Sequence, residues 1–395
     1  MGYRILQAAL LMRLSSSFVA RFVNRNKHHF SSKQSFHYSV RSPSSRLWLS
    51  SSSDAKKKRV IFLGTPDVAA ETLSTIREAS LDPESCFEVS AIVTQPPRRR
   101  KKRKSTLEPT PVAALAEGWD IPILTPEKAN SAAFLDELED LKPDLCITAA
   151  YGQYLPKRFL ATPPLGTVNI HPSLLPRWRG ASPVQRSLEQ GDNPVGVTLL
   201  YTVSAMDAGP ILAQTTVPID QDVTTTTLLP QLFQIGTQLL LHHLPSICNG
   251  TQSIDTATVQ DEAMAVPAPL IHASEAEFRV WEASARTCHN RLRGFSLWPQ
   301  AFLWLQVGDR PEPIKVKVLQ TRVVEDDDGT DLVRDPTDVV DVGPTKKSGL
   351  YVVCGDGSVL ELLEVCPATR RPCRARDFYN GYRGEVIRWV RPPED

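Results

Sequence analysis

The chain has 395 residues, 41% of them hydrophobic, with 45 Lys and Arg against 44 Asp and Glu and a formal charge of +1. That length exceeds what one ordinary core serves and favours two domains behind an extension. Near-neutrality excludes a protein whose whole surface is a polycation, such as a general nucleic-acid coat.

Residues 1–53 contain no Asp or Glu, eight Lys or Arg and fourteen Ser, and Arg4, Arg13, Arg21 and Arg25 punctuate an apolar stretch able to form an amphipathic helix. This composition predicts an organellar transit peptide, with a basic unstructured tail as the alternative. The arginine spacing favours the mitochondrial matrix over a plastid. A secretory signal fits less well, because Arg13 interrupts the apolar run that starts at Ile5. Without this segment 37 basic residues face 44 acidic ones, so residues 54–395 carry −7. No other stretch has the apolar length of a membrane span, and no membrane partner is expected. The seven cysteines (86, 146, 248, 288, 354, 366, 373) include no Cys-x-x-Cys pair. They predict neither a structural metal nor a disulfide framework, and they fit a reducing compartment.

Regular structure begins at Lys58. The run Val60-Ile61-Phe62-Leu63 stops at Gly64, and Ala69, Ala70, Leu73 and Ile76 then recur at helical spacing, giving strand, turn and helix. Further strands are predicted at 89–94, 145–149 and 168–170, with helical material between them. That alternation implies a mostly parallel, Rossmann-like α/β sheet with functional residues at the carboxyl ends of its strands. The turn Gly64-Thr65-Pro66-Asp67 lacks the later glycines of a dinucleotide fingerprint, which disfavours such a cofactor. Strands at 195–203 and 210–219 and a helix at 225–244 complete a domain spanning 58–248. Residues 249–272, rich in Gly, Thr, Ser and Asp, read as a linker. Residues 273–395 hold a short helix at 283–293 and then strand-like runs at 314–318, 350–354 and 359–365, which imply a small antiparallel barrel. The acidic stretch 325–341 reads as a solvated loop.

Two segments carry candidate chemistry. In a strand ending Val168-Asn169-Ile170-His171, residues 169 and 171 face the same side, so an amide donor and an imidazole share one cleft. Arg98-Arg99-Arg100-Lys101-Lys102-Arg103-Lys104 is an unbroken basic run. By composition it is a solvated loop, a nuclear-localisation signal or a phosphate-binding element.

The blocks Phe62-Leu63-Gly64-Thr65-Pro66, Ala149-Ala150-Tyr151-Gly152-Gln153-Tyr154-Leu155-Pro156, Asn169-Ile170-His171-Pro172-Ser173-Leu174-Leu175-Pro176 and Met206-Asp207-Ala208-Gly209 closely resemble the methionyl-tRNA formyltransferase family, in an organellar form. The resemblance runs from about residue 58 to the C-terminus. It implies a formyltransferase domain followed by an OB-like barrel that binds tRNA. It also implies transfer of a formyl group from 10-formyltetrahydrofolate, a co-substrate, to methionine on initiator tRNA, without a metal. Asn169, His171 and Asp207 are then catalytic, and Ser173, Leu174, Leu175 and Pro176 line the folate site. Arg98, Arg99, Arg100, Lys101, Lys102, Arg103 and Lys104, with Arg179, contact tRNA. In the barrel, Lys315, Lys317, Arg370, Arg371, Arg374 and Arg376 are further phosphate candidates. The sequence departs from the family in reading Ala268-Pro269-Leu270-Ile271 where a lysine is common at the third position, so no linker lysine is assigned. Two alternatives stay open: a formyltransferase or 10-formyltetrahydrofolate hydrolase acting on small molecules, and a catalytically silent RNA-binding protein. Absence of an extended apolar heptad favours a monomer.

Overall fold

Val60, Ile61, Phe62 and Leu63 are all fully buried, which a strand achieves when helices cover both faces of its sheet. The computed structural model describes residues 56–98, 107–324, 339–342, 348–382 and 384–391. Residues 1–53, expected to be a transit peptide, Arg99 to Lys104 of the basic run, and residues 325–338 of the acidic stretch lie outside the described residues.

The chain begins β1 (Lys58–Gly64), α1 (Asp67–Ser80), β2 (Phe87–Val93), α2 (Pro111–Ala116), β3 (Ile123–Leu124), α3 (Ala132–Asp140), β4 (Leu145–Ala149), α4 (Lys157–Ala161) and β5 (Thr167–His171). After these come β6 (Arg177–Gly180), α5 (Pro183–Gln190), β7 (Val195–Tyr201), β8 (Ile211–Val217) and α6 (Thr225–Cys248). Seven strands form one sheet in the order β3-β2-β1-β4-β5-β7-β8. The first five are parallel, and β7 and β8 close one edge in antiparallel fashion. Strand order reverses between β1 and β4, so their carboxyl ends open the crevice in which such sheets bind ligands.

Successive side chains alternate between two cores. Val60, Phe62, Leu145, Ile147, Val168 and Ile170 pack with Leu73 of α1 and Leu240 of α6. Ile61, Leu63 and Cys146 pack with Phe134 and Leu138 of α3 and Phe159 of α4. Asn169 and His171, out of phase with Val168 and Ile170, therefore belong to the second face. A Cβ on Gly64 would lie 2.7 Å from Ala69 Cβ and 2.9 Å from the Ala149 carbonyl. Glycine is what lets β1 turn directly under α1.

Helix α6 runs one turn beyond the predicted end at Leu244, through Pro245 to Cys248. A proline inside a helix costs about 3 kcal/mol, but Ile247 in this extra turn is fully buried, which contributes a similar amount, about 1.5–3 kcal/mol.

Residues 249–272, read as a linker, are built onto the first sheet. Thr258 and Ile211 exchange backbone hydrogen bonds of 2.9 and 2.7 Å, and β9 (Val266–Ala268) pairs in parallel with β6. Beyond it, α7 (Ala285–Gly294) is capped by Ser284, which accepts from the Thr287 N–H. Then follow β10 (Phe302–Val307), β11 (Ile314–Val324), β12 (Asp341–Val342), β13 (Leu350–Val353), β14 (Val359–Pro367), β15 (Cys373–Arg374), α8 (Ala375–Asn380) and β16 (Ile387–Val390). Six of these strands run in the order β12-β13-β14-β11-β10-β16, with β15 paired to β14. A bridge from Val339 to Arg388 links the two edges. The result is the expected antiparallel, nearly closed barrel. Barrel and sheet meet where α5 crosses α7. Gly294 makes that crossing close, since a Cβ there would lie 2.7 Å from the Gln185 carbonyl, and Arg186 bridges Glu189 and Glu275 at 2.9 and 2.7 Å.

Candidate active site

The carboxyl ends of β4 and β5 put Thr148 beside Asn169 in register. The Thr148 hydroxyl donates to Asn169 Oδ1 at 2.8 Å. With its carbonyl oxygen held in this way, the amide directs its N–H₂ away from Thr148 as a donor. Thr148 was not singled out in the sequence, although it is the one polar residue in the apolar run Leu145 to Ala149.

His171 is 4% exposed, and its Nε2 lies 2.9 Å from the carbonyl oxygen of Trp178. A carbonyl can only accept, so Nε2 is the donor in this contact and Nδ1 is the nitrogen left to face the crevice. That Nδ1 faces Asp207 Oδ2 at 3.8 Å, and because a carboxylate only accepts, a hydrogen bond between the two needs a proton on Nδ1. In a Ser-His-Asp triad the carboxylate orients the ring from the nitrogen opposite the reacting one. Here the Trp178 carbonyl holds Nε2, and Asp207 lies on the Nδ1 side.

Trp178 can aim its carbonyl because its backbone sits at φ 70° and its indole N–H is held by Asp192. Asp207 also has a left-handed backbone, φ 48°, and its Oδ2 accepts the Gly180 N–H at 2.9 Å. Gln260, 6% exposed, donates to the Asp207 and Gly209 carbonyls at 2.8 and 2.7 Å. Sequence gives no signal for Gln260, which sits in a stretch of ordinary linker composition.

Around this centre the Tyr151 carbonyl accepts from Thr65 Oγ1 at 2.9 Å and Gln95 Nε2 at 3.0 Å, tying the ends of β1, β2 and β4 together. The Tyr151 hydroxyl is buried, and burial pushes its pKa to about 12, so it stays neutral.

The turn Ser173 to Pro176 is rigid. Ser173 Oγ donates to the Arg177 carbonyl at 2.9 Å, the Leu175 N–H donates to Thr198 Oγ1 at 3.2 Å, and Gln214 donates to the Leu175 carbonyl at 2.8 Å. Ser173 and Leu175 are buried. Ser173 and Leu174 line a cavity of about 180 Å³ with Val184, Leu228 and Leu232. Asn169, His171 and Asp207 do not line it.

Arg179, expected to face tRNA, is turned onto the protein. It donates to Gln260 Oε1 at 3.0 Å and forms two bonds of 2.8 and 2.9 Å with Glu262. Its side chain is 13% exposed. Arg98, the described member of the basic run, exchanges two 3.1 Å backbone bonds with Glu108. The neck of that loop thus leaves the sheet at the carboxyl end of β2. On the barrel, Lys315 lies 3.6 Å from the centre of the Phe302 ring, Lys317 bonds Gln300, and Arg374 pairs with Asp377 at 3.0 Å.

The chain matches the formyl transferase family over residues 58–244 and the formyl transferase C-terminal domain over 273–383. It is 36% identical over 322 residues to the methionyl-tRNA formyltransferase of Lysinibacillus sphaericus, covering 82% of this chain and 95% of that protein. To the Bacillus subtilis methionyl-tRNA formyltransferase it is 34% identical over 328 residues, covering 83% and 96%. Among solved structures it is similar to an N-formyltransferase from Helicobacter canadensis in complex with folinic acid and dTDP-3-aminofucose. That likeness is one of fold, with TM-score 0.54, 16% identity, and coverage of 78% of this chain and 99% of the other.

Proposed function

The chain belongs to the methionyl-tRNA formyltransferase family, and from that premise we propose that it moves the formyl group of 10-formyltetrahydrofolate to the α-amino group of methionine on initiator tRNA in an organelle. The observation that carries this reading is the convergence of Asn169, His171 and Asp207 at the crevice, with an amide oriented as a donor and an imidazole held through Nε2 so that its Nδ1 faces Asp207.

The neutral amine attacks the formamide carbon, and the carbonyl oxygen gains negative charge. Asn169 Nδ2 donates to that oxygen, which stabilises the tetrahedral intermediate more than the substrate. The attacking nitrogen becomes an ammonium and gives its proton to His171 Nδ1, with the Asp207 carboxylate beside it to stabilise the imidazolium. That proton then passes to the departing folate nitrogen, the C–N bond breaks, and the formylated amine is left. No residue bonds covalently to the formyl group. Leu174 and the backbone of the Ser173–Pro176 turn provide the wall for the folate. Arg98 to Lys104 hold the tRNA phosphates near the amine.

The full chain incubated with 10-formyltetrahydrofolate should formylate methionyl-tRNA and leave free methionine and a nucleotide-linked amino sugar untouched. Formylation of the sugar in preference to the tRNA would replace this reading with the small-molecule one, and no product with any acceptor would leave the silent RNA binder. For residues 1–53 the expected result is delivery of a fused fluorescent reporter to the mitochondrial matrix. A reporter that stays in the cytosol removes the organellar part.

A further inference from the structure

We propose that Gln260 is a positioning residue for Asp207, and that Arg179 with Glu262 forms the latch that holds Gln260 in place. The inference rests on the catalytic reading of Asp207 given above.

Asp207 needs external support. Its φ of 48° lies in the left-handed region, which a non-glycine residue keeps only where its surroundings over-determine it. Two restraints act on it. On the side-chain side, the Gly180 N–H fixes Oδ2. On the backbone side, both amide hydrogens of Gln260 are used, one on the carbonyl of Asp207 and one on that of Gly209. The two carbonyls flank Ala208, so a single planar group spans the turn and sets the direction in which Asp207 leaves the backbone. Gly209 adds to the constraint, because a Cβ there would fall 1.6 Å from the Tyr201 carbonyl. The turn has no freedom to slide on that side.

Gln260 is in turn oriented. An amide could present either end to the two carbonyls, but its Oε1 is taken by Arg179 Nε, so the N–H₂ end must face Asp207 and Gly209. The remaining guanidinium nitrogens of Arg179 are forked onto Glu262, whose carboxyl this pairing holds below its ordinary pKa. Arg179 thereby joins two points of the connector, 260 and 262, to β6, the strand that also carries Gly180 and the Trp178 carbonyl. One side chain links the support of His171 to the support of Asp207. This role differs from the phosphate contact that the sequence suggested for Arg179.

The two roles for Arg179 are separable. A lysine keeps the charge a phosphate needs but cannot make a planar fork to an amide and a carboxylate together. Steady-state kcat and KM for both substrates should be measured on the full chain carrying Gln260→Leu, Arg179→Lys or Glu262→Ala, with Asp207→Asn as reference and thermal unfolding recorded for each. Gln260→Leu is expected to lower kcat by about tenfold to a hundredfold, the scale of a displacement of about 1 Å in a catalytic group, with both KM values within about twofold. Arg179→Lys and Glu262→Ala should lower kcat several-fold in the same pattern. The proposal fails if Asp207→Asn abolishes turnover while Gln260→Leu stays within about twofold of the parent. It also fails if Arg179→Lys matches the parent and Arg179→Ala, measured alongside it, raises only the KM for tRNA. If Asp207→Asn itself turns over normally, the catalytic reading falls instead. Should Gln260→Leu not fold, Arg179→Lys and Glu262→Ala decide the matter by the same split.

Discussion

A donor is useful to an oxyanion only if it points at it before the charge forms, and at Asn169 that direction is set by a neighbour's hydroxyl. The Thr148 bond to Oδ1 is stronger than the 3.5 Å contact its hydroxyl would fall back on, the Val168 carbonyl, and so favours this amide over the flipped one, in which the oxygen would face the developing negative charge. Replacing Asn169 with Ala removes the donor and should lower kcat by about 10²–10³, with KM little changed. Thr148→Val keeps the volume and removes the orienting hydroxyl, so a smaller fall is expected, about tenfold, and Thr148→Ser should restore activity. Equal rates for Thr148→Val and the parent would show that the amide is oriented by something else. Asn169, His171 and Asp207 were singled out in the sequence because residue type and spacing match a family motif, and the fold brings them together. The Trp178 carbonyl and the Gln260 amide were not. A backbone carbonyl has no identity in a sequence, and one glutamine among Thr, Val and Asp looks like any other until a distant turn is folded against it.

At the scale of elements, the strands and helices followed from short signals: buried β-branched runs, the Gly64 turn, and apolar spacing in α1. Helix α5 and the β6 and β9 pair were missed because each is short and drawn from polar or proline-rich sequence, and only the pairing makes them regular. Helix α7 shows what the sequence could not state. His289 on this helix is 3% exposed. Its Nδ1 lies 2.9 Å from Thr321 Oγ1 in the barrel, and its Nε2 lies 3.1 Å from Asp222 and 3.3 Å from the Gln221 carbonyl beneath the first sheet. Burial holds the His289 pKa below its usual 6.5, against the opposing pull of the Gln221 carbonyl and Asp222. The unfolded chain therefore binds a proton that the folded chain resists, and stability falls as pH drops below about 6.5. Thermal unfolding between pH 7.5 and 5 should show this decline, and His289→Gln should flatten it. An unchanged slope would place the titration elsewhere.

Over the whole molecule, charge is concentrated more sharply than the total of +1 suggests. An acidic body of −7 carries seven successive cations at 98–104, and the described neck of that loop rises beside the crevice on the Arg98 and Glu108 pairing. Binding of tRNA should weaken steeply with salt, by about 10³–10⁵ between 50 and 200 mM if six to ten phosphates are engaged. Substituting residues 99–104 with serine should lessen that slope while leaving the uptake of the formyl donor unchanged. A slope equal to the parent's would assign the phosphate contacts to the barrel alone. The parallel pairing of β6 with β9 has one more effect, on timing. Ribosomes deliver a chain in order, at about 5–20 residues per second, and the core of the first sheet has all its strands and α6 once Cys248 is made. The strand that seats Arg177 to Gly180 is not made until Ala268. A chain that emerges N-terminus first, from a ribosome or from an import pore, therefore passes through an interval in which its sheet can be fully formed while the strand beside His171 and Asp207 still lacks its partner.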